Sequence, residues 1–228
     1  MTGLPHRFAF VTTGAPRRSG WQMLSNDDFH DRPDRITSVT KMSGGPPPDW
    51  ARDLVQVARA VYVVDKRVQR KHERDGWTRR IELAVQVRDA DRWGEDARSH
   101  LEALLGVLTG DEWSVEIIGG ADYQEQLEMA VSEPVAGVAL LSGGLDSACH
   151  VAAAARNSPL LVVGCVDRVK GVQQRIVGAI RQIGGSIVLR QLDQRVRKPR
   201  GAELELSTRS RGLLYTALAI YALSLIHI

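Results

Sequence analysis

The 228-residue sequence has only two cysteines, Cys149 and Cys165. So few exclude a disulfide scaffold and a closed four-cysteine zinc site within the chain. No run approaches the ~18 apolar residues of a membrane span. The longest strongly apolar run, Leu160 to Val166, has the length of a strand. A basic-then-apolar leader is also lacking. Aromatic residues make up only 5%, but the 43% hydrophobic and 25% charged fractions are those of a globular chain rather than a disordered one. The expectation is a soluble, reduced, cytoplasmic protein of one large or two small domains, able to bury a core.

The net charge of +3 conceals an asymmetry. Residues 1–133 carry 18 Lys+Arg against 22 Asp+Glu, whereas residues 134–228 carry 12 against 5. A basic half faces either an anionic ligand or solvent.

Residues 1–48 are weakly patterned. Phe8-Ala9-Phe10-Val11 suits a short strand, while Arg17-Arg18-Ser19-Gly20 and the stretch from Ser43 to Pro48 carry loop chemistry. Three prolines forbid helix up to Pro48, and Asp49 is placed to cap a helix beginning at Trp50. From Trp50, the residues Leu54, Val57, Ala58, Val61, Val64 and Val68 recur at helical spacing, with Arg52, Arg59, Lys66 and Arg70 opposite. Ile81, Leu83, Val85 and Val87 alternate with Glu82, Ala84, Gln86 and Arg88, as in a strand with one buried and one wet face. A helix with Ala97, Leu101, Leu104, Leu105 and Leu108 on one side ends at Gly110, a C-cap glycine. Trp113, Val115 and Ile117 then form another strand. Residues 1–133 are therefore expected to form a small α+β domain. Its chemistry is sparse. Asp89 and Asp91 suit a strand-end turn better than a metal site. His72 should be solvated, and Trp50, Trp77, Trp93 and Trp113 should anchor the core.

The second half is richer. Val135 to Leu141 is a continuous apolar run, as in a strand buried on both faces of a parallel sheet. It leads directly into Ser142-Gly143-Gly144-Leu145-Asp146-Ser147, and Ala148 to Ala155 reads as a helix. Strand, glycine-rich turn and helix together present backbone N–H groups and a helix N-terminus to an anion. Gly143 and Gly144 let the backbone approach a phosphate, and Ser142 and Ser147 add hydroxyls. Asp146 suits a Mg²⁺ shared with phosphates or a helix N-cap. No lysine ends the turn, which excludes a Walker loop, and the spacing is not that of a dinucleotide fingerprint. Two more apolar runs, 160–166 and 186–192, flank a helix with Val172, Ile176, Ala179, Ile180 and Ile183 on one face. The expectation is an α/β fold with a doubly wound parallel sheet. The strand ending at Leu141 should lie at its switch point, and a phosphate ligand at the carboxyl ends of the strands. Cys149 and Cys165 are expected in the core. A basic segment with Arg190, Arg195, Arg197, Lys198, Arg200, Arg209 and Arg211 leads into an apolar helix.

The Ser142–Ser147 motif resembles the PP-loop of the N-type ATP pyrophosphatases. These enzymes split ATP into AMP and pyrophosphate and activate an acceptor oxygen as an adenylate. The resemblance implies that Leu141, Ser142, Gly143, Gly144, Leu145, Asp146 and Ser147 hold the pyrophosphate end of ATP. It also implies that Asp146 is catalytic and binds Mg²⁺. In enzymes similar to 7-cyano-7-deazaguanine synthase, an arginine at a comparable helix start approaches the phosphates. Arg211 matches it best, with Arg209 as the fallback. Asp49-Trp50-Ala51-Arg52-Asp53-Leu54, Ala60-Val61-Tyr62 and Leu108-Thr109-Gly110-Asp111-Glu112-Trp113 resemble the N-terminal extension of the QueC-like proteins of a bacterial anti-phage operon, the QatC family. That family implies three partners: an ATPase, a small partner protein and a TatD-like nuclease. It also implies an acceptor of the 7-deazaguanine type.

The chain departs from the biosynthetic synthases in two places. Val166-Asp167-Arg168-Val169-Lys170-Gly171 lacks their Tyr-Gly-Gln-type signature, and the C-terminal four-cysteine zinc cluster is missing. Leu223-Ser224-Leu225-Ile226-His227-Ile228 resembles a translated sequencing adapter. The expectation is thus an incomplete PP-loop domain over 134–222 followed by an artefact over 223–228, with any zinc site in missing sequence. The expected function is an ATP-dependent adenylating enzyme. Two alternatives stay open: a nucleotide-sensing subunit of a defence complex, and a tRNA-thiolating enzyme. The basic half favours the latter, but an aromatic-plus-basic RNA-binding pattern is lacking.

Overall fold

A strand reached through a crossover returns in the same direction as the one before it, so alternating strands and helices dictate parallel sheets. The computed structural model describes residues 4–12, 17–30, 47–122 and 135–226. It shows two compact units, each built on such a sheet, with five helices among the described residues. The first unit gathers Met1–Phe29, Arg52–Gln124 and Val196–Leu214, and the second gathers His30–Ala51, Glu125–Arg195 and Tyr215–Ile228.

The first unit contains β1 (His6–Phe10), β2 (Gln22–Leu24), α1 (Asp49–Arg67, from Arg52 on), β3 (Arg80–Gln86), α2 (Glu95–Thr109) and β4 (Glu112–Ile118). Its four strands lie in the order β2-β1-β3-β4, all parallel, with Phe8 opposite Leu83 and Leu83 opposite Val115. The expected α+β domain is therefore α/β. The sequence pattern does not reveal β2, which has only three residues. It also makes β3 half wet, yet Ala84 is buried as fully as Leu83 and Val85, because β3 is an interior strand. Winding reverses at β1, which has β2 on one side and β3 on the other. Gly110 ends α2 in the left-handed region, with φ 73°, and its N–H donates to the Gly106 carbonyl. Trp113 alone of the four expected tryptophan anchors is buried. Trp50 and Trp77 are exposed, and Trp93 packs at the edge of the core.

Helix α1 is the largest departure from the expected pattern. Val57, Ala58, Val61, Val64 and Val68 are buried as expected, but so are Asp53, Gln56, Arg59 and Asp65. Spacing puts Arg59 on a solvated face. Its guanidinium instead lies 3.8 Å over the Phe29 ring and donates to Asn26 Oδ1. The explanation is partnering, because a charge leaves water only where hydrogen bonds replace it. Arg79 is the clearest case. Its guanidinium donates to Asp65 Oδ1 (2.6 Å), to Asp111 Oδ2 (2.5 Å) and to the carbonyls of Asp65 and Val68. Arg70, also buried against expectation, grips the same Asp111 carboxylate bidentately at 2.9 and 2.8 Å. The Ser210 hydroxyl and amide donate to Asp65 Oδ2. One charge cluster thus ties α1, the entry to β3, the α2–β4 turn and the segment around Ser210.

The second unit contains β5 (Gly137–Leu141), α3 (Leu145–Ala155), β6 (Leu160–Cys165), α4 (Lys170–Gln182), β7 (Ile187–Leu192) and α5 (Arg211–Leu223, from Tyr215 on). The expected apolar runs lie side by side in the parallel order β5-β6-β7, with Leu141 opposite Gly164 and Gly164 opposite Gln191. The order winds one way, so α3 and α4 share a face. Val151, Ala155, Val177 and Ile180 pack there on Ala139, Leu141, Leu160, Val162 and Ile187. The expected switch point at β5 is not seen. Among the described residues β5 is an edge of this sheet, and β6 is its centre. Cys165 is buried as expected, whereas Cys149 is exposed on α3. Leu225 and Ile226, within the stretch expected to be adapter-derived, are buried.

Burial alone would raise the Asp111 carboxyl, but the hydrogen bonds from Arg79 and Arg70 outweigh it and hold it below the usual carboxylate range. A carboxyl lowered by folding adds stability above its unfolded value of about 3.9, and that stability is lost as pH falls through the lower folded value. Arg79→Met should therefore cost ~3–5 kcal/mol, because two buried carboxylates lose their common partner. It should also move the onset of acid unfolding to higher pH. Urea unfolding across a pH series checks both, and a loss under ~1 kcal/mol would mean that the cluster is not structural.

Candidate functional site

The candidate site begins where β5 ends. Helix α3 starts at Leu145, three residues before the helix expected from sequence, so Leu145, Asp146 and Ser147 form its first turn. The non-helical turn is only Ser142, Gly143 and Gly144. Gly143 has φ 91°, a region that side chains with a Cβ rarely adopt, and a Cβ there would stand 3.2 Å from Val169 Cβ. Gly144 is the N-cap, with ordinary extended angles and no side chain to cap the helix. Asp146 lies two residues into α3, so the structure does not make it the N-cap.

The serines close the turn on itself. Ser142 Oγ and Ser147 Oγ are 2.9 Å apart, the Ser147 hydroxyl donates to the Gly144 carbonyl at 3.0 Å, and the Gly144 amide donates to Ser142 Oγ at 3.2 Å. The Ser142 amide also points to Ser147 Oγ, at 3.3 Å. Two hydroxyls and the amino end of α3 thus sit together at the carboxyl edge of a parallel sheet, an arrangement that presents N–H and O–H donors to an anion. Ser142, Leu145 and Asp146 are exposed there, while Leu141 is buried beneath them.

Sequence reasoning missed the groups under this turn. Gln173 of α4 is fully buried; its amide donates to the Leu141 carbonyl at 2.8 Å and accepts from Gln191 Nε2 at 2.8 Å. The expected apolar face of α4 included Ala179 and Ile183, which are exposed, and omitted Gln173. Positions 173, 177 and 180 share the buried face. A signal was present in the sequence: Gly164 interrupts an otherwise apolar β6, which marks a close approach to the strand. Beside it, Cys165 Sγ donates to Asp167 Oδ2 at 3.2 Å.

Arg209 and Arg211 belong to the first unit, the Ser142–Ser147 turn to the second. Arg209 is engaged within the first unit, with its guanidinium 4.1 Å over the Trp77 ring and Nη1 donating to the Thr109 carbonyl. Arg211 is the half-buried first residue of α5, and its amide donates to the Thr208 carbonyl. Asp89 accepts from Arg92 within a short turn, as expected of a structural aspartate. Among the described residues, no group of three or more His, Cys, Asp or Glu side chains is arranged to hold a metal. Nor is any described helix long and apolar enough to cross a membrane.

The two glycines should respond differently. Gly143→Ala forces a Cβ into a left-handed conformation and should cost ~1–2 kcal/mol. Gly144→Ala should cost less, at most ~1 kcal/mol, since its angles are ordinary and only the N-cap preference for Gly over Ala is lost. If Gly144 is small to admit a phosphate, this milder change should nevertheless weaken pyrophosphate binding. Thermal unfolding and pyrophosphate titration of both variants test this, and equal stability losses would contradict the turn geometry.

No protein-family model, curated protein or solved structure matches the chain.

Proposed function

We propose that the turn at Ser142–Ser147 binds the pyrophosphate end of ATP, and that the protein is an ATP-dependent adenylating enzyme of the N-type ATP pyrophosphatase kind. The observation that carries this reading is the join of β5 to α3. A left-handed glycine, a paired Ser142–Ser147 hydroxyl system and an uncapped helix start converge at the carboxyl edge of a parallel sheet. In this reading the backbone N–H groups of the first α3 turn and the two hydroxyls hold the phosphate oxygens. They stabilise the charge that builds on pyrophosphate as an acceptor oxygen attacks the α-phosphorus and the bond to pyrophosphate breaks. Mg²⁺ is usually bound by one or two carboxylates together with substrate phosphates. An exposed Asp146 in the first α3 turn suits that donor set, and the ion would supply charge neutralisation.

The resemblance supplies the rest of the proposal. The acceptor would be a 7-deazaguanine carboxylate or a related group, in an anti-phage setting. The first unit would dock a partner protein or cover the acceptor. Arg211 enters as a phosphate ligand by resemblance alone.

The test is AMP and pyrophosphate release by the full chain with Mg²⁺, ATP and candidate 7-deazaguanine acceptors. Asp146→Asn should lower turnover by about 10²-fold, the scale of one lost electrostatic stabiliser. Its thermal midpoint should barely move, since Asp146 does not cap α3. ATP binding without AMP formation would favour the nucleotide-sensing alternative. An Asn variant with undiminished Mg²⁺-dependent release would remove Asp146 from the reaction.

A further inference from the structure

We propose that Gln173 is the positioning residue of the Ser142–Ser147 turn, and that Gly164 is a glycine to admit it. The inference rests on reading that turn as a phosphate site. Gln173 faces the same core as Val177 and Ile180, where an apolar side chain would pack at least as well. Burying an amide is costly unless both its ends are bonded. Here both are: Nε2 to the Leu141 carbonyl and Oε1 to Gln191 Nε2. These partners are the ends of the two outer strands, β5 and β7. The central strand contributes its backbone, since a Cβ on Gly164 would lie 2.5 Å from Gln173 Oε1, closer than real contacts allow. One amide therefore touches the carboxyl ends of all three strands.

The position of that amide makes it more than a core contact. Leu141 is the residue immediately before the turn, so a donor on its carbonyl fixes where Ser142 starts. Gly143 lies against the start of α4, its Cβ position 3.2 Å from Val169 Cβ and 3.7 Å from Gln173 Cγ. The turn is thus held from below by α4 and closed from above by its own two serines. Small displacements of positioned donors are expensive for a transferring phosphate. Gln173 does not reach into the turn itself, so its part is positioning, not catalysis.

The experiment uses the full chain and inorganic pyrophosphate. Gln173→Met keeps the volume and removes the hydrogen bonds to Leu141 and Gln191, together with the longer one from Nε2 to Cys165 Sγ. Amide hydrogen exchange at Ser142 and Gly144, the hydrogen-bonded amides of the turn, should quicken about tenfold, the scale of one hydrogen bond lost from a buried carbonyl. Exchange in β6 and in the Val151–Ala155 turn of α3 should stay as it was. Pyrophosphate affinity should fall about tenfold or more. Gly164→Ala, which displaces the Gln173 amide by another route, should loosen the same turn. If Gln173→Met does not fold, Gln173→Leu, which likewise removes the donor at Leu141 and the acceptor for Gln191, should quicken turn exchange in the same way. Unchanged turn exchange, or quickening spread evenly over the second unit, would overturn the proposal. A wild-type chain that binds pyrophosphate no better than Gln173→Met while both bind would also overturn it and leave the phosphate reading standing. A wild-type chain that binds none, with the turn selectively loosened in the variant, would sink the phosphate reading and keep the brace.

Discussion

Parallel pairing is the constraint that shapes both units. Each described strand within a sheet runs alongside its neighbour in the same direction. Each sheet therefore needs cover on both faces and gathers its carboxyl ends along one edge. The first requirement explains why β6 is buried at every position and why Ala84 of β3 is not wet. The second explains where chemistry collects. In the second unit, Ser142, Gly143, Gly164 and Gln191 come from three separated stretches of sequence and meet at one edge because their strands are in register.

The first unit meets the same constraint with charge as well as apolar area. Helix α1 is buried nearly all round, although it carries Asp53, Arg59 and Asp65. Asp53 accepts from the Arg88 and Asp89 amides as the chain leaves β3. Asp65 shares Arg79 with Asp111. These carboxylates satisfy backbone and guanidinium donors that would otherwise be orphaned at the ends of strands and helices. Apolar replacement of a whole buried charge group is often neutral, but loss of one member of the Asp65–Arg79–Asp111 group leaves a buried charge without its partner. The cluster therefore acts as a local fastening for segments distant in sequence, from α1 to Ser210.

Much of this architecture is legible in the sequence alone. The spacing of Val57, Val61, Val64 and Val68 marks α1, the runs after Gly137 and Leu160 mark β5 and β6, and the strand–glycine–helix join locates the turn. Three things are not legible, each for a physical reason. Arg59 and Arg70 read as solvent-facing because periodicity weighs a charge as polar and cannot see its partner. The α4 face is displaced because Gln173 is buried through hydrogen bonds that depend on Leu141 and Gln191, 32 and 18 residues away. The β2 edge of the first sheet is hidden because β2 is three residues long and offers no alternation to read, although the strand–helix order from Phe8 to Ile117 already implies parallel pairing of the other strands. Within the site, Gly143 is legible from its place after β5, whereas the early start of α3, which removes Asp146 from the cap, is not.

Where an anion lands decides between two edges. The reversal of winding at β1 gives the first sheet its own switch point, at the carboxyl ends of β1 and β3. A rival location therefore exists on general grounds. The deciding measurement is residue-resolved amide exchange of the full chain with and without Mg²⁺ and ATP. A phosphate site at the β5–α3 turn should bring new protection at Gly143, Gly144 and the first turn of α3, with none after β1 or β3. Protection confined to Val11, Thr12 and Val87 to Asp89, or no protection at all, would contradict it.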